Sequence, residues 1–122
     1  MTNQAQSSKP SKKYDLQERT AVFGERVIEF ASTVPASPIN SPLINQLVRS
    51  ATSIGANYME ADAADSKKDF RFKIALCKKE SKETMHWLRM ISKAVPQGVE
   101  TCRLLWKEVH ELVLIFSAIL NK

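Results

Sequence analysis

The chain has 122 residues, 43% hydrophobic and 25% charged, with a formal net charge of +5. A chain of that size holds one hydrophobic core and one domain, and its composition excludes a disordered protein. Three glycines and five prolines punctuate the sequence rather than pervade it, which suits long helices joined by short turns.

Residues 1–13, MTNQAQSSKPSKK, carry no periodicity and read as a disordered basic tail; with no apolar stretch they are not a secretory signal. From 14 to 122 the pattern is helical. Helix 1 is predicted over about 15–34, with Asp15 and Glu18 in a capping-box arrangement and a seam of Leu16, Thr20, Phe23, Val27, Phe30 and Val34 at heptad spacing. Pro35 stops it. The connector holds three prolines, and Ser41-Pro42 reads as an N-cap followed by a favoured first helical residue.

Helix 2, about 42–64, presents Ile44, Leu47, Ala51, Ile54 and Tyr58 to the core. Its small residues, Gly55 above all, point to close approach by another helix, since a mid-helix glycine costs about 1 kcal/mol against alanine. Ser66 and Asp69 form a second capping-box pattern at the start of helix 3, about 66–95, whose seam is Phe70, Ile74, Cys77, Ser81, Thr84, Leu88, Ile91 and Val95. Pro96-Gln-Gly98 makes the last turn. Helix 4, about 99–120, presents Cys102, Leu105, Val109, Leu112, Phe116 and Ile119.

Four seams on short turns predict an all-α, antiparallel up-down four-helix bundle. Cys77 and Cys102 sit on two of those seams without ligand-like spacing and read as buried, reduced thiols. The longest apolar run, Leu112–Phe116, is too short for a bilayer, so a cytoplasmic protein without a membrane partner is expected.

Helix 3 carries a second apolar stripe, Phe72, Leu76, Trp87 and Met90, displaced by roughly a right angle or more from its seam. A thicker core and a subunit interface both fit it. The same helix holds nine of the eighteen lysines and arginines against three acids. Lys67, Arg71, Lys78, Lys82, Arg89 and Lys93 share an arc of about 80° clear of the seam. Such a stripe is a surface that can track phosphates, or else a solvated lysine-rich face; no aromatic interleaving on helix 3 supports base stacking.

The stretches QLVRSATSIGANYMEA (46–61), ALCKKESKETMHWLRMI (75–91) and KEVHELVLI (107–115) resemble the bacterial four-helix-bundle protein family, which includes proteins encoded in intervening sequences of large-subunit ribosomal RNA genes. The resemblance runs from Tyr14 to the C-terminus, and Gln46 to Asn57 is its most specific part. That family is similar in architecture to accessory proteins of diversity-generating retroelements, which form pentameric barrels and bind nucleic acid. The resemblance therefore implies a homopentamer and an RNA or DNA partner; no enzymatic activity is established for the family as a whole. Its polar positions on helix 2 fall on Arg49, Ser53, Asn57 and Glu60, a strip that suits either solvent or a subunit interface with Arg49 pairing an acid. Where the family often has Glu-Gly, this chain has Glu60-Ala61.

Two constellations invite chemistry. Glu83-x-x-His86 matches half of a di-iron carboxylate site, but the second motif and the further glutamates are lacking, so neither metal nor cofactor is expected. Arg103 and His110, two turns apart on helix 4, resemble the Arg/His pair of RNA-cleaving HEPN domains; with six residues between them and Leu104 after the arginine they fit that pattern poorly. The expectation is a non-catalytic oligomer, a HEPN-like ribonuclease and a protein-interaction scaffold being the alternatives. No small-molecule substrate is evident.

Overall fold

The computed structural model describes residues 15–122; the expected tail lies outside them. Four helices occur, α1 (Leu16–Ala31), α2 (Asn40–Asp62), α3 (Lys67–Ala94) and α4 (Val99–Leu120), with a 3₁₀ turn at Pro96–Gly98. The registers between them show the topology. Thr20 meets Gly55 and Gly24 meets Thr52, so α2 runs back along α1. The Cys77 thiol faces the Ile54 carbonyl while Thr84 meets Ser50, so α3 runs back along α2. Arg71 reaches Leu120, at the far end of α4. The bundle is up-down-up-down.

The heptad seams meet on the bundle axis. Phe23, Val27, Leu47, Ala51, Ile54, Ile74, Leu88, Ile91, Val109, Leu112 and Phe116 are all essentially inaccessible to solvent. Each large side chain so buried contributes about 1.5–3 kcal/mol against exposure. Thr20, Ser50, Ser81 and Thr84 occupy seam or near-seam positions without an unmet hydroxyl. Thr20 donates to the Leu16 carbonyl at 2.7 Å, Ser81 to that of Cys77 at 2.8 Å, and the Thr84 and Ser50 oxygens lie 2.8 Å apart. Both cysteines are free and buried, and burial pushes the Cys77 thiol up to about 12.

Close approach explains Gly55. A Cβ there would stand 3.4 Å from the Thr20 hydroxyl, so the small residues of α2 admit α1. Gly98 is tighter still: a Cβ would lie 3.0 Å from the Phe30 ring, which packs against the α3–α4 turn. The α1–α4 seam is the loosest of the four and is clamped at one point, where Arg19 donates to both oxygens of Glu108 at 2.8 and 3.0 Å and also pairs with Glu111. Those carboxylates, Glu108 first, hold the guanidinium above its ordinary value.

Three helix ends differ from expectation. Asp15 sits at the N-cap, but its carboxylate bonds no backbone N–H of the first turn. Helix α1 ends at Ala31 rather than 34, because the hydroxyls of Ser32 and Thr33 donate to the Ile28 and Phe30 carbonyls and close the last turn. Val34 still packs against the core, beyond the helix. Helix α2 starts at Asn40, so Ser41 is not its N-cap; instead Ser37 Oγ accepts the Asn40 N–H at 2.9 Å, and Ser41 Oγ accepts the Ser37 N–H at 3.3 Å. Pro42 then falls in the first turn, where a missing N–H costs no helical bond. At α3 the Ser66 hydroxyl does accept the Asp69 N–H, at 3.0 Å. The turn before it needs no glycine, since α2 closes on Ala63 at φ −98°.

Candidate nucleic-acid interface

Helix α3 presents its seam to the axis and so has two flanks, one against α2 and one against α4. The residues that distinguish them are mostly charged. On the α2 flank every cation meets an acid. Arg49 Nη1 lies 3.2 Å from Glu80, its other terminal nitrogen pairs with Glu83, and its Nε donates to Gln46 at 3.0 Å. Lys73 pairs with Glu60 at 2.7 Å, and that bond holds the ammonium above its ordinary value. Ser53 donates to the Arg49 carbonyl at 2.7 Å and Asn57 to the Ser53 carbonyl at 2.9 Å. The polar strip of α2 thus ties Arg49 and Glu60 to α3 of the same chain, while Ser53 and Asn57 bond to their own helix.

The stripe Lys67, Arg71, Lys78, Lys82, Arg89 and Lys93 runs along the α4 flank. Lys67, Lys82, Arg89 and Lys93 are exposed, and Lys78 and Arg71 are half-buried. Arg71 donates to the Leu120 carbonyl at 2.8 Å, satisfying an end-of-helix acceptor of α4. The other five form no ion pair among the described residues. The flanks differ in their acids: Glu80 and Glu83 of α3 and Glu60 of α2 pair with cations on the α2 flank, and among the described residues no acid pairs with the stripe.

Helix α4 supplies the opposite wall. A groove of about 290 Å³ lies between the helices, lined by Leu88, Arg89 and Ser92 on one side and Cys102, Arg103 and Trp106 on the other. Trp106 is 37% exposed, and its indole stacks on the His110 ring with centroids 4.9 Å apart and planes 24° from parallel. Neither helix 3 alone nor its wheel could show this aromatic. Trp106 lies beside the seam residue Leu105, and only the rotation of α4 against α3 brings it next to the basic stripe.

Phe72 is 57% exposed, with the Lys73 ammonium 5.8 Å from its ring centroid, while Leu76, Trp87 and Met90 are half-buried and Trp87 packs against the core. Glu83 is engaged by Arg49, and His86 makes an edge contact with Trp87. No cluster of three or more His, Cys, Asp or Glu that could hold a metal lies among the described residues. Arg103 pairs with Glu100 at 2.5 Å, and His110 lies about 10 Å further along the helix axis. No helix among the described residues is long and apolar enough to cross a membrane.

Fold and surface define a small helical-bundle protein with one flank of unmatched positive charge. Over residues 12–117 the sequence matches the 23S rRNA-intervening sequence protein family, and the chain belongs to that family. It is also similar to a protein of unknown function from the S23 ribosomal protein family of Bacteroides thetaiotaomicron VPI-5482. The two are 25% identical, with a TM-score of 0.82 over 92% of this chain and 100% of that one. Comparison with curated proteins gives no significant match.

Proposed function

We propose that this protein is a non-catalytic homo-oligomer, a pentamer as its family resemblance implies, that binds nucleic acid electrostatically through the α4 flank of α3. One observation carries the reading: Lys67, Lys78, Lys82, Arg89 and Lys93 line one edge with no carboxylate partner among the described residues, whereas the cations of the α2 flank are neutralised within the chain. Clustered unmatched cations repel one another, and a polyanion relieves that repulsion while releasing its own counterions. The family's description names 23S rRNA, which makes RNA the first ligand to try. For assembly, the exposed Phe72 and half-exposed Leu76 and Met90 offer an apolar edge to a second subunit.

Titration of a nucleic-acid duplex against salt tests this. Each neutralised phosphate on duplex DNA contributes a slope of about −0.9 in log affinity against log salt, so five cations give at most about −4.5 per subunit. A ring of subunits repeats the stripe and steepens the slope, because linked sites raise apparent affinity. Sedimentation of the same sample should report five subunits, and the bound RNA should remain uncleaved. Absence of binding at low salt would leave the stripe a solvated face, and cleavage would favour the Arg103–His110 ribonuclease.

A further inference from the structure

We propose that the α3–α4 groove stacks one unpaired base of a single-stranded nucleic acid on Trp106, with Arg89 holding an adjoining phosphate; this rests on the reading that the α3 stripe faces nucleic acid. Trp106 is set apart from the chain's other indole. Trp87 packs against the buried core, whereas Trp106 lines the groove and keeps 37% of its surface open. The α4 residues that share the groove with it, Cys102 and Arg103, precede it in the helix, while His110 stacks on it from one turn beyond. His110 thus stacks on the ring while the same indole lines the groove and keeps part of its surface open.

The charge of the groove selects the ligand. The grooves that border α1 carry acids, Glu29 and Glu108 in one and Glu18 and Glu25 in another. The α3–α4 groove is lined by Arg89 and Arg103 and, among the described residues, by no acid. Arg103 is already paired with Glu100, which leaves Arg89 as the free cation beside the ring. Lys82 and Lys93 continue the same edge at about 10 and 6 Å along the helix from Arg89, at 1.5 Å per residue. A flat ring flanked by cations suits a nucleobase with its phosphate. A base inside a duplex has both faces covered by its neighbours, so an unpaired base is the form that can present a face to the indole.

The test measures binding of a short oligothymidylate and of a duplex of equal length, at low salt, by wild type, Trp106→Leu and Trp106→Phe. Trp106→Leu should weaken the single strand roughly tenfold, the scale of one lost base–aromatic stack, and leave the duplex unchanged. Trp106→Phe should retain most of the affinity, and the single strand should quench wild-type tryptophan fluorescence but not that of Trp106→Leu. If Trp106→Leu binds the single strand as wild type does, or weakens both ligands equally, the stacking site is wrong while duplex binding by wild type still supports the stripe. If wild type binds neither ligand, both readings fall.

Discussion

The two flanks of α3 both carry charge and use it differently. Toward α2, Arg49 is held by Glu80, Glu83 and Gln46, and Lys73 by Glu60. Toward α4, five cations pair with no acid among the described residues and one, Arg71, closes the end of α4. The difference teaches that charge count says little about a helical surface until the facing helix is known. Charge on the α2 flank is spent within the fold, where it joins two helices. Apart from Arg71, the cations of the α4 flank make no ion pair among the described residues, which is why the proposed interface is placed there.

That contrast can be broken most strongly at Arg49. Its removal leaves Glu80 and Glu83, whose side chains are 16% and 34% exposed, without their cation. Arg49→Ala should lower unfolding stability by about 1–3 kcal/mol, read from urea denaturation, with no loss of duplex binding. A smaller effect is expected at the turn that sets α4 against α3. In Gly98→Ala the new methyl meets the Phe30 ring, and overpacking there should cost about 1–2 kcal/mol. Because that turn fixes where α4 begins, the variant should also weaken single-strand binding more than duplex binding. Equal binding of both ligands by Gly98→Ala and wild type would separate the groove from the turn.

Much of the bundle was legible in the sequence because core burial imposes a period. All but Phe70 of the α3 seam positions are fully buried, and the small residues of α2 do admit a neighbouring helix. Helix ends were read less well. Asp15 has the residue type of a cap but bonds no first-turn N–H, the hydroxyls of Ser32 and Thr33 close the far end of α1, and Ser37 rather than Ser41 accepts at the start of α2; a hydroxyl's choice among nearby backbone groups is not written in spacing. The stripe itself was visible on a helical wheel. Its pairing state was not, since Glu60 is 13 residues from Lys73 and Glu80 is 31 from Arg49. Trp106 is hidden from the sequence for the same reason: its place beside Arg89 depends on the rotation of one helix against another.

The most direct test compares the flanks in one experiment. Lys78, Lys82 and Arg89 replaced together by glutamate should abolish nucleic-acid binding at low salt. Stability should change by no more than about 0.5 kcal/mol, because none of the three holds an acid in the fold. Circular dichroism and sedimentation should match wild type. If the triple variant stays folded and binds as tightly as wild type, the α4 flank of α3 is not the interface; if it unfolds, the contrast between the flanks is wrong.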